Sequence, residues 1–398
     1  YIAAYRPELQ FEVYNLAPDY DYPGKIRRVL VKVTGAPHDD KVVTIELELT
    51  PVPGEADQQR TSMAYLTLFS NGKTCNELWL YGSPDRRNVL VGTLTLSKYA
   101  KAGYWTTDQI RVIDPVGNTR YEGVEDFGWK MYVDNPSEDT VAPTYVPGSV
   151  AAANLPPALF NGVMMQRAQV TYRVEDNAPL SDTLLTRELC CQMSAQLVEK
   201  TSGNAMAVFG KYDSKTKTVT TIFHFSEFAP NGQYAVDGLS FKDDAGNRGF
   251  KYFSEKPGDE PPLYINISSA NPDGAVPELD LNRISIKATP TNAASPNGET
   301  KVSMTIWARD DKSGIRDLRW VLADPQGINH HFFFQDESWK TPAPASAAGV
   351  WRSYQVSTVL PPGSAPGKWS LAWVEMIDHA GNDKFYSLTE LIRFDLER

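Results

Sequence analysis

The sequence predicts an all-β protein built from three tandem β-sandwiches, and two observations carry that prediction. The first is a signature that occurs three times: a glycine, an aromatic two residues on, and then Asp-x-x-Gly-Asn. It runs from Gly103 and Trp105 to Asp114, Gly117 and Asn118, from Gly232 and Tyr234 to Asp243, Gly246 and Asn247, and from Gly367 and Trp369 to Asp378, Gly381 and Asn382. The second is apolar alternation with period two before each turn: Ile110 and Val112, Leu239 and Phe241, Val374 and Met376. Period two marks strands with one buried face. The signature glycines recur at 129 (103 to 232) and 135 (232 to 367) residues. Solenoid units run only about 20 to 50 residues, whereas this interval suits one independent sandwich.

Asp-x-x-Gly-Asn between two such runs is hairpin chemistry. The Asp carboxylate accepts a backbone amide and starts a type I turn, and the glycine takes the left-handed position that closes the loop. The signature Trp or Tyr is expected to anchor the first strand in the core. An aromatic follows each Asn by three residues (Tyr121, Phe250, Phe385) and continues the apolar pattern on the return strand. Similar segments precede each signature: Leu96-Ser97, Phe225-Ser226 and Leu360-Pro361.

Taken in order, residues 1 to about 24 read as an N-terminal arm with one short strand around Phe11 to Tyr14. Strands follow at Val29–Val33, Val43–Leu49, Met63–Phe69 and Leu78–Leu80, with a polar loop from Pro51 to Arg60. Glu138 to Pro143 and Gly258 to Pro262 are acidic and then proline-stiffened, so they read as short joints. The expected units are therefore 1–138 (arm plus first sandwich), 139–258 and 259–398. In the second, Val170–Val174 is a strand, and Leu189 to Leu197 alternates as a strand although Leu184 to Lys200 also fits an amphipathic helix. In the third, Met304–Ala308 leads into Asp310-Asp311-Lys312-Ser313-Gly314, and Leu318, Trp320 and Leu322 alternate.

Composition limits the function classes. Charged residues are 22% and hydrophobics 41%, and the net charge is −10. That balance fits a globular chain with a real core and argues against nucleic acid or an anionic membrane as partner. No apolar run of about 18 residues exists to span a bilayer. Starting at Tyr1 rather than Met, the chain reads as a mature or excised fragment. Cys75, Cys190 and Cys191 are too few and too placed to form a disulfide framework. The adjacent pair is either a vicinal bridge or one core thiol and one outward thiol.

The acidic Asp-Asp-x-Ser-Gly loop after a strand, the late Gly-x-Trp, Asp-x-Ala-Gly-Asn and the acidic, proline-containing linker together resemble bacterial immunoglobulin-like (Big-type) repeats. The likeness is best in the third repeat, good in the second half of the second, and limited to the hairpin in the first. It implies tandem immunoglobulin-like sandwiches of an exported or cell-surface protein such as an adhesin, or accessory modules beside a secreted hydrolase. The inter-sheet cysteine pair of antibody domains is missing.

The residues bear on three kinds of chemistry. Catalysis has no support: the five histidines (His38, His224, His330, His331, His379) form no His-Glu-x-x-His, and no Gly-x-Ser-x-Gly or phosphate loop occurs. The expectation is a non-enzyme, with His224 on the outer side of the Phe223/Phe225 strand. Calcium is the possible cofactor, because an immunoglobulin-like topology would bring Asp310 and Asp311 near Asp378, and Glu175 and Asp176 near Asp243. The first repeat has no acidic counterpart. The third candidate is an aromatic surface at His331, Phe333 and Trp339, since the run Phe332-Phe333-Phe334 cannot all face one side of a strand. Trp307, Trp320 and Trp369 are expected in the core. The partner would be a protein or glycan ligand at a bacterial cell surface.

Overall fold

The structure, a computed structural model, describes residues 2–52, 62–70, 74–123, 128–160, 162–178, 180, 193–201, 203–290, 298–334 and 348–392. Trp339, Cys190 and Cys191 lie outside the described residues, as does the side chain of Cys75. Strict alternation builds each unit. In Lys41–Leu49 the side chains of Val43, Ile45, Leu47 and Leu49 are buried while Val42 faces outward. The same pattern recurs in Val163–Glu175 (Ala168, Val170, Tyr172, Val174) and in Thr300–Arg309 (Val302, Met304, Ile306, Ala308). Branched and aromatic side chains suit such half-buried pleated surfaces. The buried residues gather into three large hydrophobic clusters, one per signature.

The protein is all β, apart from a 3-10 turn at Pro7–Leu9 among the described residues. In the second repeat one sheet runs Thr144–Tyr145, Val163–Glu175, Thr218–Phe225, Lys211–Asp213, with Ala151–Phe160 also on Val163–Glu175. The facing sheet runs Ala205–Phe209, Ser194–Glu199, Gly232–Lys242, Arg248–Tyr252. The third repeat pairs Thr300–Arg309 with Ser285–Pro290 and Arg352–Leu360, and Ile315–Ala323 with Asn329–Phe334 and Gly367–Asp378. In the first repeat Thr74–Gly82 also pairs with Val89–Leu96, which joins most of its strands into one seven-stranded path.

Each signature is a hairpin as expected. The turn glycines Gly117, Gly246 and Gly381 sit at φ +97°, +97° and +96°, the left-handed region that favours glycine. Trp105, Tyr234 and Trp369 are buried and donate to the carbonyl four residues back, those of Lys101, Pro230 and Ala365. Tyr121, Phe250 and Phe385 do not continue the buried face. They are 57%, 57% and 52% exposed, because the turn shifts their strand so that they stand on the outer face opposite Arg111, Ser240 and Glu375. Trp307 is likewise not in the core: Met304, Ile306 and Ala308 take the inner positions, and Trp307 lies outward beneath the Arg283 guanidinium at 4.4 Å.

Beyond each hairpin a second short strand pairs with the start of the signature. Met131–Val133 lies on Gly103–Trp105, with Val133 opposite Gly103. Tyr264–Ile267 lies on Gly232–Ala235, with Ile267 opposite Gly232. The expected division at 258/259 therefore precedes a strand whose Ile265 and Ile267 belong to the second cluster. In the third repeat this position is filled from the other end of the chain. Gln10–Val13 pairs with Gly367–Ser370, Val13 stands opposite Gly367, and Leu9, Phe11 and Val13 are buried in the third cluster. The strand of the arm thus packs with the third repeat, while residues 19–23 are held by Asn118 and Arg120 of the first. Ile2–Tyr5 pairs with Thr389–Ile392 beside it.

Phe11→Ala is accordingly expected to destabilise the third repeat, by about 3 kcal/mol for a truncated buried phenylalanine. Fluorescence-detected unfolding, which reads Trp320 and Trp369 in that cluster, is the measurement. An unchanged transition would mean the strand is not seated there.

Candidate functional site

The three signatures end in the same joint. At each one a linker aspartate (Asp19, Asp139, Asp273) enters from the preceding strand and is held by its own backbone. Its amide donates to the carbonyl of Gly363, Tyr99 or Phe228 at 2.7, 2.9 and 2.9 Å. Its carbonyl accepts the side-chain amide of the hairpin asparagine, Asn118, Asn247 or Asn382, at 3.1, 3.0 and 3.2 Å. That amide is fixed in turn by the hairpin aspartate: Asp114, Asp243 and Asp378 accept it through Oδ2 at 2.8, 2.8 and 2.7 Å. Their Oδ1 accepts the asparagine backbone amide at 2.9, 2.8 and 2.8 Å. The linker aspartate also accepts, through Oδ1, the amide two residues on, that of Asp21, Val141 or Ala275. Asp and Asn suit these places because short side chains can bond nearby backbone.

Two of the joints concentrate carboxylates. A third aspartate arrives from the end of the strand across the sandwich, two residues after the buried Val174 or Ala308. Asp139, Asp176 and Asp243 form one group and Asp273, Asp310 and Asp378 the other, with one ligand oxygen from each within 4.8 Å of the others. At the corresponding place after Leu49 the first repeat carries Pro51. Burial raises these acids: Asp176 and Asp243 are pushed up to about 6 and Asp378 to about 7, with neighbouring carboxylates adding to the effect. Asp114, buried and close to Asp19, is also pushed up to about 6.

The sequence expected Asp176, Asp243, Asp310 and Asp378 to meet, and they do, each pair completed by a linker aspartate. Glu175 is outside the group: it points to solvent between Arg173 at 3.7 Å and Lys217 at 3.8 Å. Asp311 sits at the exposed rim, its carboxyl raised by burial and by a contact with Asp273. Asp139 and Asp273 were not expected as ligands. A signal for them exists: an apolar residue, an aspartate six on and a proline four further recur as Val13, Asp19, Pro23, as Val133, Asp139, Pro143 and as Ile267, Asp273, Pro277.

The aromatic candidates fall on the outer face of the third repeat. His331 and Phe333 are both exposed, and Phe332 turns inward onto Trp320 at 5.1 Å. Across the strands His331 meets Trp373 at 5.7 Å, Trp373 meets Phe385 at 5.3 Å, and Arg319 lies over Phe333 at 5.6 Å. His224 is half-buried and stacked on Phe160 at 4.2 Å, facing away from Phe223 and Phe225.

No protein-family model and no curated protein matches the chain. Among solved structures it is similar to a leucine-rich repeat protein from Bacteroides thetaiotaomicron, with a TM-score of 0.15 and 10% identity over 65% of this chain and 24% of that one. The chain thus matches about a quarter of that protein's length. Among the described residues no helix is long and apolar enough to cross a membrane.

The raised acids give stability a definite pH dependence. Between their ordinary value near 4 and their folded values of about 6 to 7, the folded state holds protons that the unfolded chain has lost. Their contribution is complete at low pH and disappears as pH rises through 6 to 7. Thermal unfolding in EDTA is expected to give a higher Tm at pH 5 than at pH 8, with a smaller difference in Asp243→Asn. A Tm that rises over this range would contradict the assignment.

Proposed function

We propose that the chain is a non-catalytic segment of a bacterial surface or secreted protein, serving as an adhesive stalk or ligand-binding module. The observation that supports this reading most is the threefold joint. Buried polar bonds grip each linker from both sides, as suits a segment that must present a surface at a fixed orientation. Its repeats resemble immunoglobulin-like repeats of exported proteins, which fits an extracellular role. The contact surface is the outer face bearing His331, Phe333, Phe385 and the half-buried Trp373, where the exposed rings would stack on a glycan or a protein ligand.

A second reading has its own support. The same cluster of rings, spread across neighbouring strands, fits a carbohydrate-binding accessory module of a secreted hydrolase. Either way the ligand is held and not transformed.

On a glycan array the chain is expected to retain at least one glycan class and to release it unhydrolysed. Phe333→Ala removes an exposed ring and should leave the Tm unchanged while lowering retention about tenfold, the loss of one stacking contact of about 1.4 kcal/mol. A hydrolysed product would contradict the non-catalytic reading. Retention unaffected by the substitution would contradict the choice of face.

A further inference from the structure

We propose that the aspartate groups Asp139, Asp176, Asp243 and Asp273, Asp310, Asp378 are two calcium-type cation sites, and that the joint entering the first repeat is not one. Several carboxylate oxygens in these groups have nothing to bond. Asp139 and Asp310 are 4% and 7% exposed, yet Asp139 Oδ2 and Asp310 Oδ1 are buried without a hydrogen-bond partner. Both oxygens of Asp176 are in the same condition. A buried carboxylate oxygen with no donor carries a substantial desolvation penalty, and such groups ordinarily find partners.

The loops themselves do not lack order. In the same residues the other oxygens are fully used: Asp139 Oδ1 accepts from Val141 and from Asn177 Nδ2, and Asp310 Oδ2 accepts from Lys312, Ser313 and Gly314. Asp139 and Asp310 therefore each give one oxygen to the loop and keep the other available inside the group, and Asp176 keeps both, while the oxygens of Asp243, Asp273 and Asp378 also accept hydrogen bonds. Three carboxylates, each with one oxygen within 4.8 Å of the others, repel once ionised unless a cation lies between them.

The donor set selects the ion class. It is all oxygen, with no histidine or cysteine, which suits a hard cation. Calcium accepts 6 to 8 oxygens in loose geometry, so backbone carbonyls and water can complete the shell, whereas magnesium demands a tighter octahedron. A bound ion would tie together the linker, the strand end of one sheet and the hairpin of the other, at the place where successive repeats meet. The first repeat is an internal control. It keeps Asp19, whose Oδ2 is likewise buried without a partner, and Asp114, but has Pro51 in the third position, so among the described residues only two carboxylates meet there.

Isothermal titration of calcium into the EDTA-stripped chain tests this directly. Two sites are expected, with dissociation constants on the order of 10⁻⁴ M or tighter, and magnesium should bind at least tenfold more weakly. Asp176→Asn and Asp310→Asn should each remove one site, and the double variant both. Millimolar calcium should raise the Tm of the unsubstituted chain by roughly 5 °C. Each variant must first match the parent in far-UV circular dichroism in EDTA; Asp176→Ser and Asp310→Ser replace any that does not. No binding heat and no Tm shift would overturn the proposal, as would three sites or calcium binding that survives in the double variant.

Discussion

One buried pair, the hairpin aspartate and the asparagine four residues later, sets the geometry on which the rest depends. The aspartate holds the asparagine through both its backbone and its side-chain amide, so the side chain cannot turn away from the linker carbonyl it serves. Because Asp378 is fully buried and Asn382 nearly so, losing either partner strands a polar group away from water. That costs about 1–3 kcal/mol per group. The turn glycine at positive φ makes the arrangement possible by bringing the asparagine round to the aspartate. Packing of the sandwiches and orientation of the linkers are therefore fixed by the same few residues.

The third joint shows how general the rule is. Asn15 donates to the carbonyl of Ser364 at 3.0 Å, as Asn135 donates to that of Ala100 at 2.8 Å, and each carbonyl lies three residues before its signature glycine. Asp19 then repeats the contacts of Asp139 and Asp273. The segment 10–23 is thus the same strand and linker that closes the first two repeats, placed at the start of the chain. Its sequence carries the instructions for a joint wherever a suitable edge is available, and the third repeat supplies that edge.

Much of the fold was legible because period two and turn chemistry are local. The all-β class, the hairpins and the buried signature aromatics follow from short spacings, and so does the meeting of Asp310 with Asp378. What local pattern could not reveal was which face an aromatic takes after the hairpin turn, as with Phe385, or which sheet a short strand joins. Gln10–Val13 reads as a strand from its sequence, but its partner lies over 350 residues away and is chosen by an open edge. Trp307 faces outward, against expectation, for a related reason: Ile306 and Ala308 have smaller side chains but hold the inner register. Asp139 and Asp273 stand out only when the linkers are compared, and the acidic, proline-containing run at 258–262 is the more conspicuous local signal near Asp273. Trp339 lies beyond what the structure describes.

All three linkers are locked by the same backbone bonds. Native-state hydrogen exchange at the amides of Asp19, Asp139 and Asp273 measures this most directly, since each donates to a single carbonyl of the preceding unit. The account predicts slow exchange at all three, approaching that of the neighbouring core strands. Exchange at the rate of an unstructured linker would contradict it, and fast exchange at Asp19 alone would show that the joint between the third and first repeats is not closed.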